Sequence, residues 1–370
     1  MEPLAIVHTE SSLGWGGQEI RILSESRGMI ARGHAVRLLC PVEARIHAEA
    51  LSWGVPVEAL PIGRKGIRGL RALIAWLRKH SCDIVNTHSS TDAWLAALAL
   101  LMLGRPAPIV RTRHISAPVP KNLATRWLYQ QGAQHIVTTG EALKGQLVQA
   151  NGFDAARIDS IPTGVDAARF APGERLAARR QVGLAADATL VGIVATLRSW
   201  KGHRFLVEAM TRLPPTRSLV IVGDGPQRAA LEEQVDALGL RERVRFAGNQ
   251  ADVVPWLQAF DVFALPSYAN EGVPQALVQA MLVGLPCITT TAGSIAELAT
   301  HEATALVVPA QDAPALAMAI ERLVGDAPLA ARLGAAARAH CAARFSYDGM
   351  LDRMEALYGG LVKAQAHAAV

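Results

Sequence analysis

The residues best suited to chemistry lie in Glu271-Gly-Val-Pro-Gln-Ala-Leu-Val-Gln279, after an apolar run at 261–265 and a short loop at 266–270. Pro274 suits the first position of a helix, where its missing N–H costs nothing and its fixed φ is already helical. Gly272 lets the backbone come close to a ligand. A helix start presents unpaired N–H groups and partial positive charge, which suits a phosphate or a hydroxyl-rich ring. A carboxylate set just ahead of such a start points to recognition more than to packing, and Glu271 is the first candidate.

Other polar residues also leave apolar runs abruptly. The loop Leu197-Arg-Ser-Trp-Lys-Gly-His203 offers Arg198 as a forked phosphate ligand and Lys201 as a point charge. Gly223-Asp-Gly-Pro226 and Gly248-Asn249 each end a further apolar run. In the first half, Gly14, Gly16 and Gly17 occupy the turn after the first strand, where doubly wound folds bind phosphates. Their spacing is not GxGxxG, so a dinucleotide fingerprint is absent. His88, Ser89 and Asp92 follow the run at 83–87, and Arg111-Thr-Arg-His114 leaves the next. Two arginines at alternate strand positions point to one side. Such a pair suits an anionic ligand, with His114 as a hydrogen-bond donor to it; the alternative is a surface salt-bridge cluster.

These residues require strands to carry them. Apolar runs at 4–8, 35–39, 83–87, 109–112 and 135–139 alternate with helical stretches, then again at 189–196, 218–222, 244–247, 261–265 and 286–290. Alternation predicts α/β architecture with parallel sheets covered on both faces. Ligands in such sheets sit beyond the carboxyl ends of the strands, so the loops named above should converge on one crevice. A chain of 370 residues is expected to form two domains. The boundary is expected in the Gly/Pro-punctuated stretch after Ile161, giving domains at 1–166 and 167–345. A terminal helix at 346–370, with Met350, Met354, Leu357 and Tyr358 as its stripe, is expected to pack back on the first domain.

With 51% hydrophobic and 19% charged residues the chain reads as well packed. Cys40, Cys82, Cys287 and Cys341 have no paired spacing, which argues against a metal or disulfide framework and for a reducing cytoplasm. The first residues lack the form of a signal peptide, and the longest apolar run, 93–103, is shorter than the roughly 20 residues of a membrane span. Residues 1–166 carry 18 Lys+Arg against 13 Asp+Glu, whereas the remainder is balanced at 19 each, so the net +5 belongs to the first half. Within it, residues 64–80 interleave Arg64, Lys65, Arg68, Arg71, Arg78 and Lys79 with Ile67, Leu70, Leu73, Ile74, Trp76 and Leu77. A basic amphipathic helix of this kind can lie on the inner face of an anionic membrane or present a solvated face over the sheet. Nucleic acid is not among the expected partners.

Assembled, these stretches resemble the retaining glycosyltransferases of the GT-B fold, family GT4. The resemblance spans nearly the whole chain and rests on Gly16-Gly17-Gln-Glu19, Ile161–Asp166 (IPTGVD), LRSWKG, VGDGP, VRFAG at 244–248 and, most specifically, EGVPQALVQAM at 271–281. It implies two Rossmann-like domains facing a central cleft, the second binding a nucleoside-diphosphate sugar and the first a lipid-linked or glycan acceptor, as in lipopolysaccharide, O-antigen or capsule assembly. It implies that Lys201 and Arg198 neutralise the diphosphate and that Glu271 holds the sugar, with Gly272 and Val273 offering backbone N–H groups. Gly16, Gly17, Gly223, Gly225 and Gly248 would line the donor, and His88, Arg111 and Arg113 would face the acceptor. His114 matches a cleft histidine of the family, catalysis would be metal-independent and no cofactor is implied. Two positions depart from the family pattern: Gln279 stands where a second Glu is usual, and Thr196 stands where an Arg is usual. Alternatives are a nucleotide-sugar 2-epimerase of the same architecture and a non-catalytic nucleotide-sugar binder.

Overall fold

Short runs of β-branched and aliphatic residues, apolar on both sides, form strands only where helices cover both faces of a sheet. The chain does this twice. In the computed structural model, which describes residues 2–368, seven strands form one parallel sheet: β1 (Ala5–Thr9), β2 (Ala35–Cys40), β3 (Val57–Ala59), β4 (Ile84–Thr87), β5 (Ile109–Arg113), β6 (His135–Thr138) and β7 (Ile158–Ser160). Their order is β3-β2-β1-β4-β5-β6-β7. Six more form a second parallel sheet: β8 (Thr189–Val194), β9 (Arg217–Val222), β10 (Val244–Gly248), β11 (Val262–Leu265), β12 (Cys287–Thr289) and β13 (Leu306–Val307), in the order β10-β9-β8-β11-β12-β13. Both orders reverse direction beside the first strand of the unit, so the loops after β1 and β4, and after β8 and β11, flank a switch point.

The chain divides into two units, one ending at Thr163 and resuming at Asp348, the other Gly164–Tyr347. The ten strands read from the sequence are present with ends shifted by a residue or two. Three are additional: β3, β7 and β13 are edge strands of two or three residues, too short to carry a periodicity. Pro274 is extended (φ −75°, ψ 117°) and precedes the helix Gln275–Val283 instead of opening it.

The terminal helix Tyr347–Ala368 buries Met350, Leu351, Met354 and Tyr358. Arg32 clasps it by ion pairs to Asp352 at 2.7 Å and Glu355 at 2.8 Å. Deeper, the Tyr358 hydroxyl donates to Glu25 at 2.7 Å and accepts from Asn86 Nδ2 at 2.8 Å. Glu25 also pairs with Arg21 at 3.3 Å, both fully buried, and Arg21 donates to the Ile161 carbonyl at 2.6 Å. A buried ion pair is costly unless its remaining donors and acceptors are met. Here the tyrosine and the chain entering Thr163 supply part of that satisfaction.

The helix Ile67–Lys79 turns Leu73, Ile74 and Trp76 into the core beneath it, and the Trp76 indole N–H donates to Glu58 at 2.8 Å. Its tryptophan is therefore committed to the fold, and what faces outward is Arg64, Lys65, Ile67, Arg68, Arg71, Arg78 and Lys79. No helix among the described residues is long and apolar enough to cross a membrane.

Candidate active site

In the second unit, each carboxyl-end loop is bound to its neighbour by backbone hydrogen bonds. Ala195 N–H donates to the Val222 carbonyl (3.0 Å), Leu197 N–H to Asp224 (3.0 Å), Gly223 N–H to Gly248 (2.8 Å) and Tyr268 N–H to Trp200 (2.8 Å). Glycines make this possible. A Cβ on Gly202 (φ +78°) would stand 2.0 Å from the Pro266 carbonyl oxygen, and one on Gly223 (φ +131°) 2.1 Å from that of Ala195. Gly293 (φ +56°) likewise seats the loop after β12 against the backbone of Glu271, 2.0 Å from where its Cβ would be. The loops after β8, β9, β10, β11 and β12 thus form one connected rim.

Glu271 and Lys201 meet on that rim, although seventy positions apart in the chain. The Lys201 ammonium lies 2.6 Å from Glu271 Oε1, the carboxylate nearly buried and the ammonium one-fifth exposed. Asn270, immediately before the glutamate, is held at φ +57°. Non-glycine residues in that region concentrate at functional loops. Gly272, Val273 and Pro274 follow as buried backbone ahead of Gln275–Val283. Gln279 is half-buried on that helix. Arg198 is exposed, its guanidinium 5.8 Å from the Trp200 ring. Gly225, at φ +159°, leaves its would-be Cβ position 2.8 Å from the backbone of Leu197. Phe246, beside Gly248, lies under the Arg228 guanidinium at 4.5 Å. His203, which follows Gly202, is buried and pushed down to about 3 by burial and by the Lys201 charge, so it is neutral.

The first unit gathers a second polar set at the carboxyl ends of β1, β4 and β5. His8 Nδ1 lies 2.9 Å from His88 Nε2, and His88 Nδ1 lies 3.0 Å from His114 Nε2. Burial holds all three below the ordinary histidine value, and nearby positive charges oppose protonation of His88 and His114 further. Arg111 is buried with its guanidinium 4.7 Å from the Tyr129 ring, and Arg113 donates to the Tyr129 hydroxyl at 3.3 Å. Burial raises the Tyr129 pKa, but the two arginines outweigh it and the net shift is downward. Neither arginine pairs with a carboxylate among the described residues, and the Nε of each has no partner there. The salt-bridge-cluster alternative therefore fails. Gly16 and Gly17 form the start of the helix Gly17–Ala31, Gly16 being extended at φ 179°.

Sequence reasoning passed over two participants in this set. His8 was counted as the end of an apolar strand. Glu10 is buried, accepts from Ser12 N–H at 2.7 Å, Ser89 Oγ at 2.5 Å and Gln18 Nε2, and is pushed up to about 8 by burial and by the charges of Asp92 and Glu19. Asp92, raised to about 6 by burial, accepts from Thr9 and from the backbone N–H of His88. The signal was present in His8-Thr9-Glu10, three polar residues in succession at a strand's carboxyl end.

Two parallel α/β units, each with its polar loops at the carboxyl ends, define the GT-B class of architecture. Residues 174–340 match the family "Glycosyl transferases group 1", and residues 15–169 match "Glycosyltransferase Family 4". The chain is 28% identical to a D-inositol 3-phosphate glycosyltransferase of Stackebrandtia nassauensis, covering 95% of this chain and 88% of that protein. It is 31% identical to the protein of that name from Mycobacterium avium, covering 75% and 69%. The Anabaena protein Alr3699/HepE, solved in complex with UDP and glucose, superposes with a TM-score of 0.87 at 24% identity over 97% of this chain and all of that one. The chain belongs to the GT4-type glycosyltransferases of the GT-B fold, and it is an enzyme of that class.

Proposed function

We propose that the second unit binds a nucleoside-diphosphate sugar on the rim holding Lys201 and Glu271, and that the sugar passes with retained configuration to a phosphate-bearing, lipid-linked or glycan acceptor held by the first unit. The observation that carries the donor half is the 2.6 Å Lys201–Glu271 pair on loops fixed by glycines. In transfer, the bond from the anomeric carbon to the β-phosphate oxygen breaks and its electron pair stays with the diphosphate. The acceptor oxygen forms the new bond, and its proton leaves toward the departing phosphate. Lys201, with Arg198 and the N–H groups of Gly272 and Val273, opposes the charge growing on the diphosphate, which lowers the barrier most where water is excluded. Glu271 holds the ammonium in position and accepts from sugar hydroxyls. Gly223, Gly225 and Gly248 flank the nucleoside, and Gln279 meets the ribose through an amide able to donate as well as accept.

For the acceptor half, Arg111 and Arg113 form no ion pair with a carboxylate among the described residues and each has an unpartnered Nε, which favours an anionic ligand, although the Asp92 charge acts on Arg111. The relatives named for D-inositol 3-phosphate agree with a phosphate on the acceptor. The outward basic face of Arg64, Lys65, Arg68 and Arg71 supports work at the cytoplasmic face of an anionic membrane by charge alone, as in lipopolysaccharide or capsule assembly. The test is a thermal-shift series with UDP-, GDP- and ADP-sugars. One base should raise Tm by several degrees at concentrations a hundred times its Kd, because a ligand of the folded state adds about 2.7 kcal/mol there. The same series on Lys201→Met should lose that shift.

A further inference from the structure

The histidine chain of the first unit constrains itself. His8 comes from the end of β1, His88 from the loop after β4 and His114 from the loop after β5, so three elements contribute one ring each. The rings stack as well as bond: His8 and His88 lie 5.2 Å apart at 16° between planes, His88 and His114 5.2 Å apart at 33°. A neutral imidazole carries one proton on two nitrogens, one donor and one acceptor. His88 uses both nitrogens in this chain. If its Nδ1 donates to His114, its Nε2 must accept, and His8 must carry its proton on Nδ1. If its Nε2 donates to His8, its Nδ1 must accept, and His114 must carry its proton on Nε2. No mixed state keeps both hydrogen bonds.

We propose that His8 and His88 are positioning residues for His114, the three rings forming one tautomeric unit that decides whether His114 Nδ1 meets the acceptor as a proton donor or as a lone pair. This rests on the sequence reading of His114 as a hydrogen-bond donor to the anionic ligand of Arg111 and Arg113, which the proposed function takes to be the acceptor, but the coupling itself is a property of the unliganded protein. Burial keeps the three rings neutral, helped by the arginine charges and opposed at His8 by Glu25. Arg21 and Glu25, on the helix Gly17–Ala31, both act on His8, while Arg21 with Arg111 opposes protonation of His88 and Arg21 with Arg113 that of His114. Asp92 holds the backbone N–H of His88, which fixes the middle ring's base. His8 Nε2, at the buried end, has no partner among the described residues, so an alternative bond there does not compete for its tautomer.

The experiment uses the full chain labelled with 15N-histidine, and long-range proton–nitrogen correlations at pH 7.5 report which nitrogen of each ring is protonated. His88→Asn and His114→Gln identify their own signals by disappearance. The expected result is that His8, His88 and His114 show the same tautomer. In His8→Leu the His88 and His114 signals should move toward a mixture of both forms, a change of at least several-fold in the tautomer ratio. Unlike tautomers on neighbouring rings in the wild-type protein would overturn the proposal without any variant. So would a folded His8→Leu protein whose His114 spectrum is unchanged. Separately, a His114→Ala enzyme with undiminished sugar transfer would remove the acceptor-facing role while leaving the coupling intact, so the two failures are distinct.

Discussion

Replacing Tyr358 by Phe removes one oxygen from the clasp between the terminal helix and the first sheet. That oxygen donates to the Glu25 carboxylate at 2.7 Å and accepts from Asn86 at 2.8 Å, and both partners are buried. A hydrogen bond to a charged group contributes about 1.5–3 kcal/mol and a neutral one about 1 kcal/mol. Phenylalanine fills nearly the same volume, so the packing loss is small. The expected cost is about 3 kcal/mol. Asn86 retains its bond from Thr112 at 2.9 Å, and Glu25 retains Arg21, which keeps the cost from growing. For a unit of this size about 3 kcal/mol corresponds to a Tm lower by roughly 6–12 °C. The assay is hydrogen exchange of the amides of β1 and β4 together with thermal melting. Burial pushes the Tyr358 hydroxyl well above its ordinary value, so it remains a donor and the cost should be the same at pH 6 and pH 9. A loss below about 1 kcal/mol would refute the assignment of this network as the anchor.

Two further predictions concern the buried carboxyls and the rim. Glu10, raised to about 8, keeps a proton in the folded state that the unfolded chain releases near 4.5, so stability should fall as pH rises between those values and level off above 8. Glu10→Gln should flatten that slope and raise Tm at pH 8.5; an equally steep slope in the variant would show that another group titrates. Gly293→Ala forces a methyl onto the Glu271 carbonyl and should reduce sugar transfer at least about tenfold, whereas Gly239→Ala, at φ +67° with open space around it, should cost only about 1 kcal/mol of stability and leave transfer unchanged. Equal transfer rates in the two variants would mean that the Gly293 contact does not shape the rim.

The two parallel sheets were legible because each central strand is a run of apolar residues bounded by glycine and polar loops, a pattern that survives without knowledge of neighbours. The edges β3, β7 and β13 were not, because two or three residues carry no period. The loop before Gln275–Val283 was legible through Gly272 and Pro274, although Pro274 stays extended just ahead of the helix and does not open it. The pairing of Lys201 with Glu271 was not, since nothing local fixes a contact across seventy residues; only the shared placement at strand ends suggested it. Trp76 illustrates a different limit. Its helix has an amphipathic pattern that does not tell which apolar residues enter the core; Leu73, Ile74 and Trp76 do, and the basic residues stay outside. His8 was hidden because a histidine closing a strand looks structural until the rings from β4 and β5 are seen beside it.

The central claim is that Glu271 and Lys201 form the donor-holding pair of the second unit. The measurement is transfer of labelled sugar from the nucleotide sugar chosen by thermal shift onto the lipid-linked or glycan acceptor proposed above, comparing wild type with Glu271→Gln. The amide keeps the shape and loses the charge that holds the ammonium at 2.6 Å. A fall in kcat of about a hundredfold or more, with the fold intact by melting, is the predicted result. Transfer by Glu271→Gln at the wild-type rate would contradict the account.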